Sequence, residues 1–321
     1  MKTQDYIGHP SQLVRVEQYR LEGGRGDGLR LLEVDNGQGL RLTLNLDRAL
    51  DISRLSYKGN NIGYFSPCGY THPSYYQHGD FIWAFTAGFL TTCGLDNVGI
   101  PNEDEGLFYQ QHGMLSYKPV ENFHYKINED QIIIYGEISD EAIFGRKLRL
   151  HRKITIGTNN GKIRIDDEIK NTNHTQEAAQ IMYHFNIGYP MLDEDSVFTV
   201  SSESVNPRDT EAATDIDNWT RMEKPTINYK EKVFYHQCKK EGVSTLYQPK
   251  LNTKLTVSFD PENLDCFTQW KMMGIRDYVL GIEPGNCNAD GRHGSRERGL
   301  LKTVESGESL KYFVEVELGE E

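Results

Sequence analysis

The sequence predicts a single, large, mostly antiparallel β domain of the sandwich type over residues 1–321, all-β in class, and three observations lead there. Segments of period-two alternation rich in Ile, Val, Tyr and Phe recur along the chain. No stretch keeps an i, i+3, i+4, i+7 apolar stripe for three helical turns. No composition break or internal repeat marks a linker, and large β structures often run long as one unit.

In chain order the strand candidates are "LRLTLNL" (40–46), "QIIIYGEIS" (131–139), "KLRLHRKITIG" (147–157), "KIRIDDEIKN" (162–171), "KLTVSFD" (254–260) and "KYFVEVELG" (311–319). The third and fourth form a hairpin, because Asn160-Gly161 between them supplies the positive φ angles of a tight turn. That hairpin should bury Leu and Ile on one face and expose Lys, Arg and Asp on the other. The stretch 203–231 is polar and contains proline, and reads as a long loop across one rim, either a binding loop or a plain surface excursion.

Composition narrows the function classes. With 37 % hydrophobic and 26 % charged residues, the chain is that of a soluble globular protein. A formal net charge of −12 argues against nucleic acid, since phosphate binding needs a basic face. No apolar run approaches the roughly 18–20 residues that span a bilayer. The opening "MKTQDYIGHPSQLVRVEQ" has no secretory pattern, so a cytoplasmic location is expected and no membrane partner. Five cysteines without a CxxC spacing suit buried free thiols in a reducing compartment and no thiolate zinc site.

Three segments combine glycine, aromatic and ionisable residues densely. The first, 85–116, ends on His112-Gly113. The second is "IMYHFNIGYP" (181–190), where alternation puts His184 and Asn186 on one face of an apolar strand. The third, 278–299, has Glu283 at the end of an apolar strand, just before an expected turn at Pro284-Gly285-Asn286. Each has a bland reading: a histidine hydrogen-bonded to backbone, a satisfied core histidine, a rim carboxylate. A G-x-S-x-G elbow, G-x-G-x-x-G, Walker glycine loop and HExxH are all missing. His112, His184 and Glu283 could also form a two-histidine, one-carboxylate metal triad, but no H-x-H pair accompanies them, so neither metal nor cofactor is expected.

The run "AGFLTTCGLDNVG" followed by "HG", then "MYHFNIGYP", then "GIEPGN", resembles the aldose 1-epimerase (galactose mutarotase-like) superfamily, and its uncharacterised bacterial branch most closely. The resemblance extends from about residue 40 to residue 321. It implies a β-supersandwich, two large antiparallel sheets around an open concave sugar cleft. It also implies catalytic roles for His184 as general acid, Glu283 as general base and His112 as the other active-site histidine, with Arg48 contacting substrate. Asn97, Asn186, Trp270 and Asn286 lie in or beside the three segments and are the further substrate-binding candidates.

The chemistry so implied is cofactor-independent anomer interconversion of an aldose or deoxy-aldose. One group takes the anomeric hydroxyl proton while another donates to the ring oxygen. An arginine near Glu283 would keep it ionised, and Arg48, Arg292, Arg296 and Arg298 are candidates. Two other readings stay open: a non-catalytic carbohydrate-binding or sensing protein, and a lyase or isomerase acting on an oxidised sugar with the same His/Glu set. In each the partner is a small-molecule carbohydrate; the oligomeric state is not legible.

Overall fold

The computed structural model describes residues 5–76, 81–238 and 240–321. An eight-stranded antiparallel sheet runs in the order Glu121–Ile127, Gln131–Glu141, Lys147–Gly157, Lys162–Asn171, Ser309–Gly319, Thr253–Phe259, Gly242–Gln248, Val197–Val200. Two sheets cover its inner face. One is five-stranded: Arg15–Arg20, Arg30–Asp35, Leu40–Asn45, Asp51–Tyr57, Asn60–Asn61. The other is six-stranded: Ser204–Pro207, Lys232–Gln237, Cys266–Met273, Tyr278–Gly285, Gln180–Ile187, Leu90–Leu95. The expected β sandwich is present, with one of its layers divided in two. Among the described residues no helix is long and apolar enough to cross a membrane.

Alternation explains the layering. In Gln131–Glu141 every second residue from Ile132 to Asp140 is buried, and the same holds along Lys147–Gly157 and Lys162–Asn171. The hairpin turn falls at the predicted Asn160-Gly161. Inward apolar side chains from all three sheets share one core, including Leu42, Leu44, Ile134, Ile154, Ile165, Phe185, Ile282 and Val314. Burying each such side chain stabilises by about 1.5–3 kcal/mol.

Three local expectations need correction. First, the hairpin's buried face also carries charge: Arg152 and Asp167 lie inside. Arg152 Nε and Nη2 donate to Asp167 at 2.9 and 2.7 Å, Nη1 to Asp51 Oδ1 at 3.2 Å and Ala49 O at 2.9 Å, and Nη2 to Thr92 Oγ1 at 3.0 Å. Tyr183 Oη donates to Asp167 at 2.8 Å. Second, 203–231 is not all loop. It opens with the edge strand Ser204–Pro207, continues into the short helix Thr210–Ala213, and is pinned against the six-stranded sheet by Lys271. That fully buried ammonium donates to Asp215 at 2.9 Å and Asn218 O at 3.2 Å, and pairs with Glu223 at 3.0 Å. Third, Pro284-Gly285 is not a turn. The strand runs through to Gly285, with Pro284 where no ladder N–H is required of it.

Replacing Arg152 by alanine strands the carboxylates of Asp51 and Asp167 in the core. Urea unfolding should show a loss of about 3–5 kcal/mol, the usual result of removing one partner of a buried ion pair; a loss under about 1 kcal/mol would show that the network does not hold the sheets.

Candidate active site

The face of the six-stranded sheet turned away from the core forms the floor of a cavity of about 730 Å³. In Gln180–Ile187, Ile181, Tyr183, Phe185 and Ile187 point into the core, so alternation turns His184 to the cavity side. The neighbouring strand pairs Phe185 with Ile282 and Met182 with Gly285, a register that sets Glu283 beside His184. His184 Nε2 and Glu283 Oε1 are 3.2 Å apart, with both side chains almost fully buried. On the next strand Thr268 pairs with Glu283 and Trp270 with Gly281, so Thr268 and Trp270 also reach the cavity.

Gly281 makes room for this arrangement. A Cβ there would sit 2.2 Å from Glu283 Oε1 and 2.8 Å from Trp270 Cβ. The carboxyl therefore folds back over its own strand, above a glycine that has no side chain to obstruct it.

His112 comes from the 99–113 segment, at φ +57°, and its ring meets that of His184 at 5.6 Å, edge on. The Gly99 N–H donates to His112 Nδ1 at 3.3 Å, which leaves the proton of the neutral ring on Nε2. Aromatic rings enclose both imidazoles: Phe81 5.0 Å from His112, and Phe85 and Trp270 5.7 and 5.5 Å from His184. The Trp270 indole donates to Glu231 at 2.9 Å, and Arg208 bridges Glu231 and Asp209.

Burial dominates the electrostatics. It pushes the Glu283 carboxyl well above the usual carboxylate range; the charge of Glu231 adds to this, and Arg208 opposes it. Burial likewise pulls His184 down to about 3, with the neighbouring His112 in the same direction, and His112 down to about 4. Burial thus favours the neutral form of each group, Glu283 as the carboxylic acid and His184 as the unprotonated imidazole, with one titratable proton between them. Three buried polar atoms of cavity-lining residues have no hydrogen-bond partner among the described residues: His184 Nδ1, Thr268 Oγ1 and Glu283 Oε1. Although Glu283 Oε1 lies close to Nε2, the contact lacks hydrogen-bond alignment. Each unsatisfied group costs about 1–3 kcal/mol, and such groups collect where a ligand supplies the partners.

His112, His184, Glu283 and Trp270 are thus brought together, whereas four other candidates do not line the cavity. Arg48 is buried and spends its guanidinium on the carbonyls of Thr71, Ser116 and Ala84 while lying over Tyr117. Asn97 ties Ile100 O and Gln110 O to the Arg292 N–H. Asn286 joins Ala179 O, Tyr312 Oη and the Ile181 N–H. Asn186 shares the His184 face but is fully covered, its amide donating to His184 O at 2.9 Å. Nor do the C-terminal arginines reach Glu283: Arg292 and Arg296 hold Asp104, and Arg298 holds Asp290. Arg208 and Glu231, at the two ends of the 203–231 segment, are the site residues that sequence patterns missed. Among the described residues no group of three or more His, Cys, Asp or Glu is placed to hold a metal ion.

This architecture is the galactose mutarotase-like β sandwich. A candidate aldose 1-epimerase from Klebsiella pneumoniae superposes with a TM-score of 0.88 at 23 % identity, over 95 % of this chain and 83 % of that one. A galactose mutarotase-like protein from Clostridium acetobutylicum gives 0.69 at 12 % identity, covering 97 % and 100 %. The galactose 1-epimerase of Lactobacillus acidophilus gives 0.65 at 14 % identity, covering 96 % and 99 %. The chain itself belongs to the family described as a domain of unknown function, DUF4432, whose model matches residues 26–318. No curated protein matches it.

Gly281→Ala should keep the fold, since the backbone there is not left-handed, yet displace the carboxyl. A crystal structure of the variant should show Glu283 swung off His184, with a stability loss of about 1–3 kcal/mol from overpacking; an unmoved carboxyl would remove the role given to Gly281.

Proposed function

We propose that this protein is a cofactor-independent aldose 1-epimerase-like isomerase that interconverts the anomers of an aldose or deoxy-aldose, working as one domain in the cytoplasm. The observation that carries the reading is the His184–Glu283 pair: two groups of opposite acid–base character, 3.2 Å apart, with unsatisfied atoms at the floor of a cavity. The free cysteines suit a reducing compartment.

The proton inventory supports the reaction. Opening a cyclic hemiacetal needs a base for the O1 proton and an acid for the ring oxygen. With the single proton of the pair on His184, ionised Glu283 takes the O1 proton while His184 protonates the ring oxygen. This leaves a neutral carboxylic acid and a neutral imidazole, the forms burial favours. After rotation about C1–C2, Glu283 returns its proton to the carbonyl oxygen while His184 removes the proton of the attacking hydroxyl. The ring closes on the other face, and no proton is gained or lost. His112 Nε2–H can donate to a sugar oxygen, and Trp270 offers a face for the ring. A sensor without chemistry would have no use for this pairing.

Glu283→Gln and His184→Asn should each lower turnover by about 10²–10⁴-fold in polarimetry or NMR exchange on an accepted aldose, with unchanged circular dichroism. Either variant within a few-fold of the parent would sink the assignment. Activity should also follow the one-proton state of the pair. The rate should show no break near the ordinary histidine value of about 6.5. It should fall only as pH drops towards the depressed histidines, about 4 and 3, and on the alkaline side only above the ordinary carboxylate range. An acid limb centred near 6.5 would overturn the electrostatic account.

A further inference from the structure

We propose that the cavity is built for a reducing sugar of at least two rings, with the free anomeric carbon at His184 and Glu283 and a second ring at the mouth. This rests on the carbohydrate reading above. The first observation is size. At about 730 Å³ the cavity lies in the upper part of the range, about 300–1,000 Å³, that encloses drug-sized ligands, and a lone pyranose resting on Trp270 would fill a minor part of it.

The second observation is the chemistry of the mouth. Ile82, Trp83 and Ile100 are 67 %, 65 % and 53 % exposed, and unlike the other exposed apolar pairs, Leu107-Phe108 and Ile143-Phe144, they line this cavity. Large apolar side chains left in water around one cavity mark a binding surface. Two planar polar groups stand on the cavity wall with them. Arg25 spends one N–H on Trp83 O at 2.6 Å and meets no carboxylate among the described residues, and the Gln111 side chain has no partner among them. A purely apolar ligand would leave these donors unused. A sugar ring uses both parts, its C–H face on the indole and its hydroxyls on the amide and guanidinium.

Because Trp270 lies beside His184 on the floor while Trp83 lies at the mouth, the two indoles serve different rings. Trp83 is thus a specificity residue, not a catalytic one. A second sugar attached through O1 is excluded, since the reaction needs that hydroxyl free; the linkage must run through another hydroxyl of the first ring.

The test begins with a panel of aldoses in NMR exchange spectroscopy, followed by reducing disaccharides whose reducing unit is the accepted aldose (for glucose, maltose and cellobiose). The disaccharide should show the higher kcat/KM. Trp83→Ala should lower the disaccharide-to-monosaccharide ratio of kcat/KM by about three- to tenfold, as expected for losing one stacked ring, and Trp83→Phe should recover most of it. A monosaccharide preferred over every disaccharide, or a ratio untouched in Trp83→Ala, overturns the inference. Should no aldose be turned over, the isomerase reading falls while the two-ring inference is still decided by saturation-transfer NMR. Binding of maltose or cellobiose that disappears in Trp83→Ala upholds it, and absence of binding overturns it.

Discussion

Arg152 is the interaction on which the rest of the structure depends. Its five N–H groups are all used, and the partners lie on every layer: Asp167 on the eight-stranded sheet, Ala49 and Asp51 at the start of a strand of the five-stranded sheet, and Thr92 on the six-stranded sheet. Buried ion pairs add little net stability compared with apolar packing, because desolvation offsets the attraction. Their contribution here is geometrical. Apolar contacts tolerate sliding, whereas a planar fork with its donors assigned holds two half-layers in one register against the large sheet. Tyr183, which completes the Asp167 shell, is the residue before His184, so the same network anchors the strand that carries the site.

From that anchor the site follows by alternation. A core-facing Tyr183 turns His184 outward, and strand register then places Glu283 next to it. What the arrangement costs is also clear: a carboxyl and an imidazole deprived of water, with orphaned atoms around them. Such strain persists in a fold whose remaining core over-determines the strand positions. Lys271 makes a parallel contribution from the far side of its strand. By fastening Asp215 and Glu223 it holds the excursion whose ends bring Arg208 and Glu231 to the cavity.

Much of this was legible in the sequence, and the part that was not has a physical cause. Period-two alternation located the long strands, and Asn160-Gly161 located the hairpin, because both signals are local. The two histidines and Glu283, singled out because they stand in dense, unusual segments, and Trp270, beside the third, do line one cavity. Asn97, Asn186 and Asn286 stand in the same segments, and Arg48 was singled out by the resemblance, but all four tie backbone, since a carboxamide or guanidinium that ties backbone loops looks the same in sequence as one that binds a hydroxyl. Arg208 and Glu231 carried no local signal at all. Their polar stretch resembles any surface loop, and what packs it down, the Lys271 ammonium on Asp215 and Glu223, is a contact between distant segments that only the structure shows. Pro284 misled as a turn former, because a ladder gap in a central strand depends on neighbours that sequence does not show.

The order of the large sheet bears on how the molecule comes into being. Ser309–Gly319 lies in its middle, between Lys162–Asn171 and Thr253–Phe259. A ribosome that has made everything up to about residue 300 has therefore produced two incomplete half-sheets with their central edges open. Such edges readily pair with other chains, and contacts of long sequence separation are slow to form. The strand that joins the two halves is made after the other seven of its sheet, so the nascent chain has to be shielded, or kept loosely collapsed, until those residues emerge.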